Sequence, residues 1–280
     1  MDILSTVRDL TGLSAAALPL SACRVTRAYL LERHHIDPSG TAIMLAMPYV
    51  ISRDICDPGR NVSLYAVPRD YHLYFKELAD RLLPVLHARH PAHTFVLFAD
   101  HAPIAEADAA ARAGLGVVGD HGLLITPDYG SLVFLGEIVT DAPWEIVTGE
   151  AGVPQIPAEP PRCEGCGACL AACPAGCAGG DRTRCLSALT QKKGVLTDDE
   201  QDALREHPLV WGCDTCQLAC PHNRAIIERG LDTPIPFFKE NRLSRIDVAA
   251  INGMSDDAFG ARAYSWRGRD VICRNIEIKT

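Results

Sequence analysis

The stretch CEGCGACLAACP at residues 163–174 places four cysteines in the spacing Cys163-x2-Cys166-x2-Cys169-x3-Cys173, directly before Pro174. Bacterial ferredoxins have this spacing. In them, three closely spaced thiolates hold three irons of one [4Fe–4S] cube, and the fourth cysteine ligates the other cube. The run therefore predicts a ferredoxin-like region that holds two cubane clusters.

A second motif, Cys213-x2-Cys216-x3-Cys220 followed by Pro221, has one cysteine fewer than the first. Cys185, on a predicted helix at 183–190, is the nearest candidate to complete the second cube. Crossed ligation then assigns cluster one to Cys163, Cys166, Cys169 and Cys220, and cluster two to Cys173, Cys185, Cys213 and Cys216. The alternative is a pair of four-cysteine zinc sites, because CxxC pairs also bind zinc. The complete first run is much more specific for [4Fe–4S] clusters.

The composition supports a globular protein that uses metal. The chain has 280 residues, a net charge of −8 and 12 cysteines, with 48% hydrophobic and 22% charged residues. These fractions exclude wholesale disorder, and the cysteines concentrate between positions 163 and 220, where metal ligation explains them better than disulfides. Four cysteines lie outside the predicted ligand sets and are expected to be small buried hydrophobes: Cys23, Cys56, Cys177 and Cys273. Cys177 could instead be a spare thiol near a cluster.

The N-terminal segment does not indicate export. The sequence Leu-Ser-Ala-Cys at 20–23 resembles a lipoprotein cleavage site, but the apolar run Leu13–Leu20 is short and no basic leader precedes it. We expect a capped surface helix there instead. No stretch is long enough for a membrane-spanning helix, so the sequence predicts a cytoplasmic protein without membrane association.

Alternating patterns before residue 143 predict an α/β (α+β) fold. The predicted strands are 41–47, 94–98, 122–126 and 132–140, and the predicted helices are 71–86 and 104–113, the second ending at Gly114. We predict four regions along the chain. They are a catalytic domain at 1–142, a proline-rich linker at 143–162, the double-cluster domain at 163–224, and a helical segment at 225–280 that closes the core.

Several segments together resemble the core signature of epoxyqueuosine reductases, which are cobalamin-dependent iron–sulfur enzymes similar in plan to corrinoid reductive dehalogenases. The segments before the clusters are DYH (70–72), DHAP (100–103), Glu106, AGLGVVG (113–119), LLI (123–125), GS (130–131) and FLGE (134–137). The later segments are CDTCQLACPHNR (213–224), WRG (266–268) and RN (274–275). The match covers roughly residues 41–277.

This resemblance implies a nitroreductase-like corrinoid-binding domain fused to the double-cluster domain. It implies two [4Fe–4S] clusters and cobalamin as cofactors, and an external low-potential electron donor. The implied reaction reduces the epoxide of epoxyqueuosine, at the wobble position in the anticodon loop of tRNA, to queuosine. Full-length family members carry a C-terminal helical-repeat extension that helps to hold tRNA. We therefore expect this chain to be a short form that ends after the common core.

Asp100 is the candidate general acid. Removing an epoxide oxygen as water takes two electrons and two protons, so a carboxylic acid must protonate the leaving oxygen. Asp100 follows the apolar strand 94–98, which would place it at a strand end facing a pocket. The alternative is that Asp100 caps a helix that starts near Pro103.

The glycine-rich stretch spells GxGxxG from Gly114 to Gly119, but a predicted helix precedes it and a strand follows, which is the reverse of the dinucleotide-binding order. With the resemblance, it predicts cobalamin contacts; an ordinary helix-to-strand turn is the alternative. The predicted cofactor-binding residues are Gly114, Leu115, Gly116, Val118, His121, Ser131 and His72. For the two histidines a structural role is the alternative, because a lone histidine is more often structural.

Two features depart from the family pattern. A tryptophan and a lysine usual in the glycine-rich stretch are here Val117 and Asp120, which reverses a charge. The net charge is negative, and the densest basic group is either a solvated helix face or an RNA contact. That group consists of Arg262, Arg267, Arg269, Arg274 and Lys279. Two alternatives therefore stay open: a relative acting on a smaller epoxide, nucleoside or halide, and a non-enzymatic electron-transfer or corrinoid protein.

Overall fold

Four strands form one sheet in the order β1-β2-β6-β3, and two short strands, β4 and β5, form an antiparallel pair. This arrangement comes from a computed structural model, which describes residues 2–279. The strands are β1 (Ser14–Pro19), β2 (Thr41–Pro48), β3 (Phe95–Phe98), β4 (Val117–Val118), β5 (Leu124–Ile125) and β6 (Val133–Thr140). The predicted α/β class is confirmed.

Helices occur in both halves of the chain, whereas the described strands all end by Thr140. Before the first cysteine motif they are α1 (Ile3–Thr11), α2 (Ala28–Arg33), α3 (Ser52–Ile55), α4 (Tyr71–Arg89), α5 (Glu106–Arg112) and α6 (Trp144–Thr148). In the second half they are α7 (Ala168–Ala172), α8 (Leu186–Thr190), α9 (Asp198–Glu206), α10 (Thr215–Ala219), α11 (Pro221–Glu228), α12 (Val248–Gly253), α13 (Asp256–Gly260) and α14 (Arg269–Glu277).

The apolar run TAIMLAMP forms β2, and every one of its residues is buried. A strand buried on both faces reads as a continuous apolar run, so the sequence located it well. β1 pairs with β2 antiparallel, with Ser14 opposite Ala46. The capped helix expected in the N-terminal segment is α1, whose N-cap is Asp2, but the apolar run at 13–20 contains the strand β1 and no α-helix. Gly12 ends α1 with φ +66°, and the next residues extend along the edge of β2.

The first core lies where α5 packs on the sheet. Three consecutive alanines of α5 are buried there (109–111), together with Met44 of β2 and Val139 of β6. The small side chains let the helix approach the strands closely. Helix α5 is shorter than predicted, because Ala105 is still extended at its N-cap and Ala113 is its C-cap, with Gly114 following at φ +93°.

The second core contains Trp211, Tyr264 and Phe259, whose aromatic rings meet edge-on or tilted. Val62 and Val67, far earlier in the sequence, are part of it. Of the aromatic rings in this core, Trp211 and Tyr264 are fully buried.

The chain divides into two compact units that do not follow the predicted boundaries. One unit holds the described residues up to Met47 together with Tyr74–Glu164, and the other holds Pro48–Leu73 together with the described residues from Gly165. The predicted linker at 143–162 thus belongs to the first unit. The segment 48–73, placed by the sequence in the catalytic domain, belongs to the unit that carries the second cysteine motif. The functions assigned to the four predicted regions stay predictions.

Among residues 2–279, no helix is both long enough and apolar enough to cross a membrane.

We expect Gly116→Ala to destabilise the first unit. An added Cβ at Gly116 would lie 2.1 Å from the carbonyl oxygen of Ile125, so β5 would have to move. Overpacking of this kind costs about 1–3 kcal/mol. Gly253→Ala is the control, because its Cβ would meet nothing within 4 Å. Thermal unfolding of the cluster-loaded proteins, followed by circular dichroism, measures the difference. Equal stability of the two variants would contradict the prediction.

Candidate functional site

The two cysteine motifs fold alike. Each forms a five-residue helix, α7 or α10, with one cysteine inside it (Cys169 or Cys216). Each helix ends at an extended cysteine, Cys173 or Cys220, that is followed by proline. Helices α7 and α10 pack against each other. In the second copy, the buried Val210 stands at the position that Cys163 occupies in the first, so another thiol has to complete the second set.

The structure brings the four thiols predicted for cluster two together. Burial raises the pKa of Cys216 to about 12, and the charges of Cys213, Cys185 and Cys173 raise it further in that order. The pKa of Cys213 is raised chiefly by burial, and Cys185 is again among its charged neighbours. Thiolates crowded into a dry volume repel one another, and a positively charged iron–sulfur core would remove that repulsion. These residues therefore fit a cluster.

Cys185 reaches this set from a break between two helical turns. The predicted helix at 183–190 was wrong at this point, because a 3-10 turn covers Arg182–Arg184 and α8 starts at Leu186. Cys185 lies between them with extended backbone, φ −63° and ψ 131°. The break frees its side chain from helical packing.

Cys177 lies next to this set. Its Sγ is 3.8 Å from the Sγ of Cys173, and its backbone N–H donates to that sulfur at 3.4 Å. Burial raises the pKa of the Cys177 thiol to about 11, and Cys173 and Cys185 add to the shift. The alternative of a spare thiol near a cluster thus has a geometric basis. Of the four leftover cysteines only Cys177 is buried as expected; Cys23 and Cys273 are half-buried, and Cys56 is exposed.

In the predicted cluster-one set, Cys169 and Cys220 are buried and Cys166 is exposed, all in the second unit. Cys163 belongs to the first unit, where its N–H donates to the carbonyl of Val118 at 3.1 Å. Within residues 2–279, no three His, Cys, Asp or Glu side chains are placed to bind a single metal ion. A cubane keeps its ligand sulfurs farther apart than one ion does.

Asp214, between Cys213 and Cys216, ties the second motif to the segment at 60–64. Its buried carboxylate accepts from Arg60 at 2.7 Å, from the hydroxyl of Ser63, and from the backbone N–H of Leu64 at 3.0 Å. The carboxylate is thus fully satisfied although it is almost out of contact with solvent. Sequence reasoning did not single it out, since nothing in the sequence shows that residues 60–64 lie beside it.

Asp100 follows β3 in a left-handed conformation, φ +62°. The N–H of His101 donates to the carbonyl of Ala99 at 2.7 Å, so Asp100 is the central residue of a three-residue turn. Asp100 is exposed, and it does not cap α5, whose N-cap is Ala105. The capping alternative is therefore wrong, while the catalytic role stays a prediction.

The glycine-rich stretch does run from a helix into strands, α5 into β4 and β5. The side chains of Leu115 and Val118 lie in the first core. The backbone N–H of Val118 donates to Pro161, and its carbonyl accepts from Cys163. A Cβ at Gly119 would come within 2.6 Å of the His121 ring, and Gly116 faces Ile125. Packing within the chain thus accounts for Gly116 and Gly119, whereas Gly114 borders open space.

The remaining predicted cofactor residues have separate environments. His121 is buried, and its Nδ1 accepts from the backbone N–H of Leu123 at 3.1 Å, as in a structural histidine. Ser131 is buried in the first unit. His72 lies in the second unit, with its Nδ1 2.9 Å from Asp70. Their contacts with cobalamin stay predictions.

Most side chains of the basic group in the C-terminal segment donate hydrogen bonds to backbone carbonyls. Arg262 donates to Asn241, Arg274 donates to Gly194 at 2.8 Å, and Lys279 donates to the carbonyls of Leu204 and His207. Arg269 likewise donates to the carbonyls of Ile251 and Met254. Arg267 differs, because its guanidinium stacks 3.7 Å from the centre of the exposed Trp266 ring. Four of the five cations are therefore half-buried and already have backbone carbonyl partners.

Two carboxyl groups beside Asp100 escaped the site prediction. Glu137 of β6 is fully buried, and Glu106 begins α5 with its Oε1 3.2 Å from the N–H of Asp100. Burial raises the pKa of Glu106 to about 7 and the pKa of Glu137 well above its ordinary value. A glutamate in the middle of the apolar run VFLGEIV was the available signal.

The paired motifs and their converging thiols define a class, the iron–sulfur proteins with two ferredoxin-type clusters. Residues 162–223 match the family described as "4Fe-4S double cluster binding domain". The chain is 36% identical to an epoxyqueuosine reductase of Listeria monocytogenes over 217 residues, 75% of this chain and 54% of the relative. It is 33% identical to the epoxyqueuosine reductase of Bacillus subtilis over 218 residues, which are 74% of this chain and 52% of that relative. The chain is thus similar to epoxyqueuosine reductases over about three quarters of its length and spans about half the length of these curated relatives.

Solved structures share the fold. The epoxyqueuosine reductase of Streptococcus thermophilus superposes with a TM-score of 0.73 at 22% identity, over 99% of this chain and 79% of that one. An epoxyqueuosine reductase crystallised with an epoxyqueuosine-modified tRNA-Tyr stem loop gives 0.70 at 24% identity, over 95% and 76%.

We expect Cys185→Ala to lose one cluster, lowering bound iron from about eight to about four per chain. Cys177→Ala is the matched control and should keep both clusters, because Cys185 faces Cys213 and Cys216 while Cys177 contacts Cys173. Iron and acid-labile sulfide counting after anaerobic reconstitution measures both variants. Two full clusters in Cys185→Ala would remove Cys185 from the ligand set, and stoichiometric zinc without sulfide would favour zinc sites.

We expect Glu106→Gln to flatten the pH dependence of stability. Folded Glu106 keeps its proton up to pH about 7, whereas the ordinary value is 4.5, so stability falls as pH rises through this window. The loss reaches about 3 kcal/mol for a shift of this size. Denaturant unfolding on both sides of the window measures it, with Glu150→Gln at an exposed carboxyl as control. An equally steep slope in Glu106→Gln would contradict the assignment.

Proposed function

We propose that this protein reduces the epoxide of epoxyqueuosine to the alkene of queuosine. The observation that carries the proposal is the 36% identity with an epoxyqueuosine reductase over three quarters of the chain. The double-cluster region and an aspartate at a strand end supply the electron path and the acid that such a reaction needs. Both carbon–oxygen bonds of the epoxide break, and two electrons and two protons release the oxygen as water.

The clusters relay single electrons from an external low-potential donor. We assign cluster one to Cys163, Cys166, Cys169 and Cys220, and cluster two to Cys173, Cys185, Cys213 and Cys216. A ferredoxin-type crossed pair suits transfer between neighbouring cubes, because each motif contributes to both. The hydrogen bonds of Asp214 to Arg60 and Leu64 keep the loop between Cys213 and Cys216 in place.

Asp100 protonates the leaving oxygen in this proposal. Its carboxyl stands on an exposed turn at the end of β3, where it can reach a bound substrate. A solved Bacillus subtilis epoxyqueuosine reductase is described with the catalytic loop of an aspartate swung out of the active site. A loop that carries the acid and moves relative to the site is compatible with the turn around Asp100.

Cobalamin is the proposed second cofactor, and this rests on the family resemblance. When bound, a corrinoid supplies a low-valent cobalt centre that can deliver electrons to the epoxide carbon. Among the residues proposed to hold it, Gly114 borders open space, and Ser131, His121 and His72 carry polar side chains. Leu115, Gly116 and Val118 pack within the chain, so the arrangement of these three residues does not fit a cofactor cradle.

A substrate smaller than tRNA is the second candidate. The net charge is −8, and four of the five densest basic side chains are spent on backbone carbonyls. RNA binding needs cations that face phosphates, and these four side chains already donate to the chain's own backbone. A free nucleoside or another small epoxide needs no such surface. Either reaction belongs in a reducing cytoplasm, where cluster thiols stay free of disulfides.

The decisive experiment supplies two substrates separately to the same enzyme. Anaerobically reconstituted protein receives cobalamin and a strong reductant, then either an epoxyqueuosine-containing tRNA stem loop or free epoxyqueuosine. Mass analysis of the digested nucleosides detects queuosine. Product from the stem loop alone supports tRNA as substrate, and product from the free nucleoside alone supports the smaller substrate. No queuosine from either would sink the proposed reaction.

Asp100→Asn should keep both clusters and the corrinoid but lower kcat by about 10²–10⁴-fold, because loss of a positioned acid typically costs that much. Asp128→Asn, on the turn between β5 and β6, is the matched control at an acidic turn residue. Cluster absorbance, corrinoid content and turnover are measured on the same samples. Turnover at the wild-type rate would remove Asp100 from the mechanism.

A further inference from the structure

A pair of carboxyls in the first unit is not used by the proposed reaction. Glu137 lies on β6 and is completely buried, and Glu106 opens α5, the helix that packs on β6. As a carboxylate, Glu137 finds no hydrogen-bond donor for either oxygen among residues 2–279. A single proton between the two carboxyls supplies one hydrogen bond, which one carboxyl donates to the other.

The environment of the two carboxyls favours the protonated form of the pair. Burial is the main cause of the raised pKa at both residues, and each carboxyl acts on the other. Two buried carboxyls in contact cannot both ionise, so the pair titrates as a unit. The cation facing the pair is Arg27, which lowers the pKa of Glu106 through its charge and donates to the carbonyl of Ala102 at 3.0 Å.

The other charged or titratable groups nearby are directed elsewhere. Asp108 and Arg112 form a salt bridge at 3.7 Å along α5. Cys23 is affected by the charges of Glu137, Asp108 and Arg112, and burial is the largest influence on its pKa. Asp100 acts on Glu106 in two opposite ways: its N–H stabilises the glutamate charge, and its own carboxylate opposes that charge.

The pair holds the turn that carries Asp100. Glu137 stands opposite Phe98 in the β3–β6 register, and Phe98 is two residues before Asp100 in the sequence. Glu106 accepts the N–H of Asp100 at 3.2 Å from the other side. A non-glycine residue at φ +62° costs of order 1–3 kcal/mol and persists only where neighbours hold it. The hydrogen bond from the Asp100 N–H to Glu106 stabilises this conformation.

We propose that Glu106 and Glu137 form a proton-sharing carboxyl pair that positions the Asp100 turn. The inference rests on the proposed function, because it gives the turn a catalytic purpose. Glu106 and Glu137 are positioning residues that act through Asp100. As the pH rises past about 7, the pair loses one of its two protons and the remaining proton is shared between the carboxyls. The added charge then lies beside the Asp100 carboxylate.

The first test follows the Asp100 amide by hydrogen exchange in the full cluster-loaded protein. Glu106→Ala should abolish protection at Asp100 and lower kcat roughly 10- to 100-fold with KM little changed, the usual cost of a misplaced catalytic group. Glu106→Gln should restore both, because its amide oxygen accepts the same N–H. Asp108→Ala removes a carboxyl from the same helix and should leave protection and kcat unchanged.

A second measurement covers the case in which Glu106→Ala does not fold. The infrared band of a protonated carboxyl should be present in the wild type near neutral pH and absent in Glu137→Gln, and the kcat–pH profile should lose its inflection near pH 7 in Glu106→Gln. Protection of the Asp100 amide that persists in folded Glu106→Ala, or no protonated-carboxyl band in the wild type, overturns the pair. Protection that behaves as expected in an enzyme without turnover keeps the pair and rejects the proposed function.

Discussion

The buried carboxylate of Asp214 is the interaction on which the second cysteine motif depends. Removing an ionised carboxylate from water is costly, and hydrogen bonds from Arg60, Ser63 and Leu64 offset that cost. The consequence is topological: a segment more than 140 residues earlier becomes part of the unit that carries the cluster thiols. Without that segment, Asp214 between two cysteines would be an unpaired buried charge.

In both candidate sites, acidic groups that would carry like charges lie close together. In the second unit, Cys173, Cys185, Cys213 and Cys216 converge, and their mutual repulsion favours a metal cluster as the partner. In the first unit, Glu106 and Glu137 converge, and a retained proton serves as the partner. In each case the low local dielectric strengthens the repulsion between like charges, which favours binding of a positively charged partner. The site chemistry follows from burial more than from the residue types alone.

Predictions from local patterns were accurate where one physical requirement dominated. The continuous apolar run of β2 and the helical spacing of α4 were located closely, because burial of apolar side chains fixes both. In the N-terminal segment the expected capped helix covers only 3–11, although the alanines and leucines at 13–20 suit a helix as well as a strand. Pairing with β2 decided the matter. The structure places Cys185 near Cys216 and Cys213, whereas the helix predicted through it was wrong.

The sequence by itself determined the double-cluster class, since the spacing of seven cysteines leaves little else that could bind there. It also marked Asp100 as a residue at a strand end. Only the tertiary structure decided that residues 48–73 belong with the cluster region, that four cations cap carbonyls, and that Glu106 and Glu137 meet beside Asp100. The physical reason is that cysteine spacing is local, whereas desolvation and the pairing of buried charges depend on residues that are distant in the chain.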